Sequence, residues 1–265
     1  MIPASNPYDD QLDKVTRFWQ EMQKASIAGE QKEEFWKEKT AFLDNFSIQN
    51  NVVVLLWNVA RQRFVYMSEK CEALTGIKAS AYLEADMSII TPGYHPNQVE
   101  GLVALHKKYG GFFMKNVAKL GPQGLIVNFN YLYRNADNKY IQLLQRSSVL
   151  EVDELNIPSL IICFLYYAGY MKRPESLGAV FGAGDELSFY TYNSQLKAVE
   201  GPAYFSKQEK KIISLLADGY SSKEIADHMS ISVNTVNTHR RNIINKAECL
   251  DTTGVIAYAR LINLI

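Results

Sequence analysis

Two Ser-x-x-Glu boxes, Ser206 to Glu209 and Ser221 to Glu224, and then a further serine, Ser232, each stand just ahead of apolar residues at helical spacing. In such a box the serine hydroxyl accepts the N–H three residues on, and the glutamate reaches back to the serine N–H. Two otherwise orphaned donors at a helix start are satisfied together, so each box marks a beginning. Asp218–Gly219 stops the first helix, which carries Ile212, Ile213, Leu215 and Leu216. The second holds Ile225, Ala226 and Met229, and Ser230–Ile231 turns it into a third bearing Val233, Val236, Ile243 and Ile244. Cys249–Leu250–Asp251 separates a fourth, from Thr252 to about Ile262. Punctuation this dense permits only short helices there.

Four short helices with a tight turn between the second and third describe a helix-turn-helix. Charge supports a polyanionic partner only locally. The whole chain is neutral, with 28 Lys/Arg against 28 Asp/Glu. From Tyr204 to Ile265 there are eight basic and six acidic residues, 8 − 6 = +2. Ser232–Ala247 holds Arg240, Arg241 and Lys246 and no acid, so these three are expected to stand unpaired by local acids. Distribution matters more than the sum for nucleic-acid binding.

Upstream the period changes. Residues from about Tyr8 to Phe46 read as two helices broken at Ala28–Gly29, with Leu12, Val15, Phe18, Trp19 and Met22 on one and Phe35, Trp36, Phe42 and Leu43 on the other. Val52–Trp57 and Phe64–Met67 read as strands, and Glu69–Leu74 and Ala79–Leu83 as short helices. Asn97–Tyr109 is a longer helix expected to end at Gly110–Gly111. Three long strands follow: Leu125–Arg134, Tyr140–Leu150 after an Asp137–Asn138 turn, and Leu160–Tyr167, apolar on both faces and hence central. Arg173–Gly201, rich in glycine, reads as a connector in which Phe189–Tyr192 forms a short strand at most.

Chemistry-bearing clusters are absent from the sequence pattern. Cys71, Cys163 and Cys249 are too few and scattered for a disulfide framework or thiolate zinc site. His95 and His106 are expected at exposed loop and helix positions. No residues support a catalytic site, a metal site or a cofactor. Asp9, Asp10 and Asp13 occupy the place where a secretory signal needs an apolar stretch, and the longest apolar run, Leu160–Ala168, is far short of the roughly 20 residues that span a bilayer. A cytoplasmic protein without membrane contact is the expectation.

The run Phe205–Lys246 (FSKQEKKIISLLADGYSSKEIADHMSISVNTVNTHRRNIINK) strongly resembles the LuxR-type DNA-binding domain of bacterial transcription regulators. Glu209, Gly219, Lys223–Glu224–Ile225–Ala226, Ile231–Ser232, Thr235–Val236, His239 and Lys246 stand where that signature places them. The resemblance implies double-stranded DNA as a partner and Asn237, Thr238 and Arg241 as the base-reading positions. Arginine can take guanine, and asparagine adenine, with two hydrogen bonds in the major groove. Asn234, Thr235, Arg240 and Lys223 suit phosphate oxygens, which position a protein without reading sequence. Lysine is commoner in the family at position 237, so its target sequences do not transfer. The resemblance also implies RNA polymerase as a further partner. Val255, Ile256, Tyr258, Leu261 and Ile262 spread widely around the fourth helix, more than one small domain would bury, and are expected to pair two copies as a homodimer.

Two strands, several short helices and three long strands, with Phe64–Gly76 (FVYMSEKCEALTG) and Leu125–Tyr167 as the matching segments, resemble a PAS domain. Such domains sense small ligands or mediate assembly. If a ligand is held, the strands offer aliphatic and tyrosine side chains with Asn128, Asn130, Gln142 and Gln145 as polar handles and Arg146 as the nearby charge, so it should be small and uncharged. The expected fold is α+β: an N-terminal helical segment (1–46), a PAS-like antiparallel sheet with flanking helices (47–173), a linker (174–203) and a four-helix helix-turn-helix domain (204–265). The expected function is a sequence-specific DNA-binding transcription regulator and not an enzyme; a protein-interaction adaptor without its own DNA target is the alternative.

Overall fold

The computed structural model describes residues 39–169, 177–262 and 264–265. Residues 1–38 of the expected helical hairpin lie outside these; its last part is α1 (Thr40–Asn50), which buries Leu43 and Ser47 and ends on Asn51 in the left-handed region. Then come β1 (Val53–Asn58), β2 (Arg63–Met67), the short helices α2 (Lys70–Thr75) and α3 (Ala79–Glu84), and the long helix α4 (Pro96–Leu120). β3 (Leu125–Arg134), β4 (Tyr140–Val152) and β5 (Pro158–Tyr167) follow, and then β6 (Gly178–Ala183), β7 (Glu186–Asn193) and β8 (Ala198–Ala203). The strands form one eight-stranded sheet of order β2-β1-β5-β4-β3-β6-β7-β8, antiparallel at every pairing. α5 (Lys207–Ala217), α6 (Ser222–Met229), α7 (Val233–Ala247) and α8 (Thr252–Leu261) complete the chain. The architecture is α+β, with β5 central as its two-sided apolar sequence requires.

Two expectations are overturned. The segment read as a linker supplies three strands, because its glycines serve close packing instead of flexibility. A side chain at Gly178 would meet the Asn130 Oδ1 at 2.9 Å, and one at Gly182 would meet Ile126 at 2.6 Å. Only glycine lets β6 lie against β3 there. The long helix also runs through Gly110–Gly111 to Leu120. Each glycine costs a helix about 1 kcal/mol relative to alanine, but the turns beyond them bury Phe113 and Val117 against Leu125 and Val149. That burial, worth roughly 1.5–3 kcal/mol per large apolar side chain, outweighs the propensity.

Alternation gives the sheet two working faces. On the inner face Val127, Phe129, Tyr131 and Tyr133 of β3 pack with Leu143 and with Leu102 and Leu105 of α4. On the outer face Leu144, Ala168, Val180 and Leu187 belong to the same apolar cluster as Ile212, Ile225, Val236 and Ile243 of the C-terminal helices. Leu144 is fully buried where the two regions meet. Leu144→Ala is expected to cost about 2–5 kcal/mol, read as a lower denaturant midpoint with unchanged slope in far-ultraviolet circular dichroism.

Candidate nucleic-acid interface and cavity

Both capping boxes form. The Ser206 N–H donates to Glu209 Oε2 at 2.7 Å and the Glu209 N–H to Ser206 Oγ at 3.2 Å; the Ser221–Glu224 pair repeats this at 2.8 and 3.3 Å. Ser232 Oγ accepts the Thr235 N–H at 3.0 Å and starts α7, and Asp251 Oδ1 accepts the Gly254 N–H at 2.8 Å and starts α8. Ser230 takes a left-handed conformation at the turn between α6 and α7. Val236 and Ile243 are buried on one side of α7. The opposite side carries Asn234, Thr235, Asn237, Thr238 and Arg241, all exposed, with Lys223 exposed on the first turn of α6. Six of the seven residues expected to touch DNA therefore stand in solvent.

The seventh does not. Arg240 donates to Ser222 Oγ at 2.6 Å and to Thr252 Oγ1 at 2.9 Å, tying α7 to α6 and α8 as an internal strut. Lys246 is not unpaired either: its ammonium lies 2.9 and 2.8 Å from the two carboxylate oxygens of Glu209, which is 4% exposed. A sequence window around α7 cannot find this acid, which sits two helices earlier. Burial alone would raise the Glu209 carboxyl, but Lys246 and the Ser206 N–H outweigh it and hold the group below its ordinary range. Val233 is 40% exposed on the first turn of α7, on the side of Asn237 and Arg241.

Residues 203–259 match the family described as "Bacterial regulatory proteins, luxR family". The C-terminal unit is a LuxR-type helix-turn-helix domain. Over 73 residues the chain is 40% identical to the response regulator protein VraR of Staphylococcus aureus, a match spanning 28% of this chain and 35% of that relative. Among solved structures, the transcription factor GerE is 28% identical over 23% of this chain and 90% of its own length, with a TM-score of 0.22. A VqmA dimer of Vibrio cholerae is 14% identical over 84% of this chain and 88% of that one, with a TM-score of 0.32.

The fourth helix of the LuxR-type domain departs from expectation. Val255, Tyr258 and Ile262 are at most 4% exposed, and Ile256 is partly buried in the same cluster. Their helix packs on α5 and α7 of the same domain, within an apolar cluster that also includes residues of the sheet's outer face. Val255, Tyr258 and Ile262 are thus covered within the described chain, while Ile256 and Leu261 keep partial exposure.

The inner face of the sheet and α4 line a cavity of about 600 Å3 whose walls include Trp57, Phe64, Tyr94, Tyr109 and Phe129. Gly110 and Gly111 line it, and a side chain added at either would meet nothing within 4 Å. Of the polar groups expected there, only Gln145 faces the cavity, because strand register turns Asn128, Asn130, Gln142 and Arg146 to the outer face. Tyr131 O–H donates to Gln145 Oε1 at 2.7 Å, Gln145 Nε2 to Ser147 Oγ at 3.0 Å, and Ser147 Oγ to Cys163 Sγ at 3.1 Å. His106 is not on an exposed surface: it lines the cavity, stacked on Phe129 with ring centroids 4.1 Å apart. Its Nδ1 lies 2.8 Å from the Leu102 carbonyl, which can only accept, so Nδ1 carries the proton of the neutral ring and Nε2 the lone pair. Burial pushes His106 down to about 4, against a partial offset from that carbonyl. Tyr109, another lining residue, has a buried hydroxyl without a hydrogen-bond partner among the described residues.

Among the described residues no group of three or more His, Cys, Asp or Glu is placed to hold a metal, and no helix is long and apolar enough to cross a membrane.

Two titrations test these environments. A lowered Glu209 gives stability that is present above the ordinary carboxylate range and lost as pH falls through the folded value. Glu209→Gln should therefore destabilise the chain at pH 7 by about 2 kcal/mol, between the values for exposed and fully buried pairs, and the gap to the parent should close in acid. The His106 contribution is complete above 6.5 and lost as pH falls toward about 4, since the unfolded chain takes up the proton first. Denaturation between those pH values should be less pH-sensitive in His106→Gln than in the parent; equal slopes would show that the ring is not held neutral.

Proposed function

We propose that this chain is a sequence-specific DNA-binding transcription regulator of a bacterial cytoplasm, in which residues 204–265 read DNA and residues 47–203, a PAS-like domain extended by β6–β8, act as the sensor. The observation that carries the reading is the solvent face of α7. Asn237, Thr238 and Arg241 are exposed together on the helix that follows the turn of a LuxR-type domain. An α-helix fits the major groove, and side chains near its N-terminus reach base edges. Lys223, Asn234 and Thr235, exposed around that end of the helix, are suited to phosphates. Arg240 is left out of this role, because its guanidinium is engaged inside the domain. Val233 adds an apolar group that a thymine methyl can meet. Regulation without enzymatic chemistry, by copies acting in pairs on a roughly two-fold site, is part of the proposal.

The sensor part rests on the cavity. Its volume lies in the range of small-molecule sites, about 300–1,000 Å3, and its walls are mainly aromatic and aliphatic. Neutral His106 and the Tyr109 hydroxyl offer hydrogen bonding without charge. A buried anion would need several donors or cations to offset its desolvation, so an uncharged, largely apolar ligand fits.

The DNA reading is checked by paired substitutions measured against a selected target and against random DNA. Arg241→Ala should weaken specific binding by roughly 1–3 kcal/mol and relax preference at one base position. Lys223→Ala should weaken all sequences alike and flatten the dependence on salt. Equal loss on both DNAs for Arg241→Ala would reduce Arg241 to a phosphate contact, and no binding by the parent to any fragment would remove the function.

A further inference from the structure

The exposed residues of α7 are rich in amides and poor in charge. Asn234, Asn237, Asn242 and Asn245 stand in solvent on this helix, and no acid occurs anywhere in its sequence. The hydroxyls beside them are already engaged. Thr238 Oγ1 donates to the backbone carbonyl of Asn234 at 3.0 Å, and the Ser232 and Thr235 hydroxyls share a hydrogen bond of 2.8 Å. Lys246 is held by Glu209, and Arg240 by Ser222 and Thr252. The polar groups of the exposed residues left for a base edge are the asparagine amides and the Arg241 guanidinium, with the Val233 and Thr238 methyls beside them. Residues four apart lie one above the other on a helix, about 6 Å along its axis. Val233, Asn237 and Arg241 form such a row, with Asn237 at its centre.

Each member of the row suits a different base. An arginine offers donors only and matches the two acceptors of guanine, while an apolar side chain meets the thymine methyl. Asparagine sets one acceptor beside one donor group, the complement of adenine, whose N6 amino group donates and whose N7 accepts. Lysine, commoner in the family at this position, has no acceptor and favours guanine instead. We propose that Asn237 makes this chain an adenine reader whose binding is blocked by a methyl group on N6 of that adenine. Pairing with thymine uses one of the two N6 hydrogens, and Asn237 Oδ1 accepts the other, which points into the major groove. When a methyl replaces one of them, the base pair keeps the hydrogen that remains and the methyl is turned to the groove edge. Asn237 Oδ1 then loses its donor and meets an apolar group, so its carbonyl is desolvated without a partner. The Arg241 contact to guanine is untouched. The methylation state of the target thereby becomes an input to the regulator, separate from any ligand in the cavity. Such adenine reading rests on the DNA-binding function proposed above.

The full-length chain tests it on duplexes built from a target selected out of random DNA. N6-methyladenine replaces one adenine at a time, in both half-sites together, and each duplex is titrated by fluorescence anisotropy. At one position the parent should bind the methylated duplex about 10–100-fold more weakly, the loss expected for one bidentate base contact. A deaza analogue of adenine that lacks N7, placed at the same position, should weaken binding as well. Asn237→Ala should bind the unmodified target as weakly as the parent binds the methylated one, with no further loss on methylation. Asn237→Lys should exchange the preference at that base pair from A·T to G·C and lose the sensitivity. Position 237 is exposed, so both variants should keep the parent's thermal denaturation midpoint. A parent that binds its selected target but discriminates against methylation at no adenine overturns adenine reading alone. So does a methyl sensitivity that survives in Asn237→Ala, which would place the reading on another group or on DNA shape. A parent that selects no target from the pool overturns the DNA-binding function, and adenine reading falls with it.

Discussion

A β-strand presents successive side chains to opposite faces, and β4 makes this alternation the hinge of the whole molecule. Leu143, Gln145 and Ser147 turn to the inner face and the cavity, while Gln142, Leu144 and Arg146 turn to the helix-turn-helix domain. Pairing along the full length of β3 on one side and along β5 on the other fixes that register. A slip by one residue would exchange the two sets, putting Arg146 into an apolar cavity and Gln145 under α8. The cavity and the outer junction are therefore set by one hydrogen-bonding register rather than by two independent packings.

The helix-turn-helix domain shows the same economy with charge. Of the three basic residues concentrated on α7, Lys246 is spent on Glu209 and Arg240 on Ser222 and Thr252. The first joins α7 to α5 across an intervening helix and the second ties α7 to its two neighbours, and both leave the exposed side of α7 to Asn237, Thr238 and Arg241. Glu209 does two things at once, closing the capping box of α5 and anchoring Lys246. Two of the three cations on α7 are thus structural, and Arg241 is the one left on its exposed side.

Much of the site was legible from residues alone. The boxes at Ser206 and Ser221 and the caps at Ser232 and Asp251 act within one turn, so sequence spacing suffices to place four helices and the buried side of the first two. Of residues 178–203 only Phe189–Tyr192, inside β7, was legible as strand, because Gly178 and Gly182 look like breakers until the close approach of β3 is known. The extension of α4 through Gly110–Gly111 was hidden for the same reason: its support comes from Leu125 and Val149, outside the helix. His106 carries no local sign of burial, since a histidine on an amphipathic helix is polar in any window. Only tertiary packing buries the ring and so holds it below its ordinary value.

What the sequence by itself determined is what local physics can carry: capping, helix length, strand alternation and the identity of the side chains on α7. The LuxR-type signature falls in this class because its signals lie within a few residues of the groups they organise. What only the tertiary structure decided is every property that depends on which surface covers which. It assigned Arg240 and Lys246 to struts, placed α8 against its own chain, and divided the amides of β3 and β4 between a cavity and a junction. Those outcomes depend on contacts between residues tens of positions apart, such as Arg146 with Leu261 and Glu209 with Lys246. Burial and partner choice are set by the folded surface as a whole, and no window of sequence contains it.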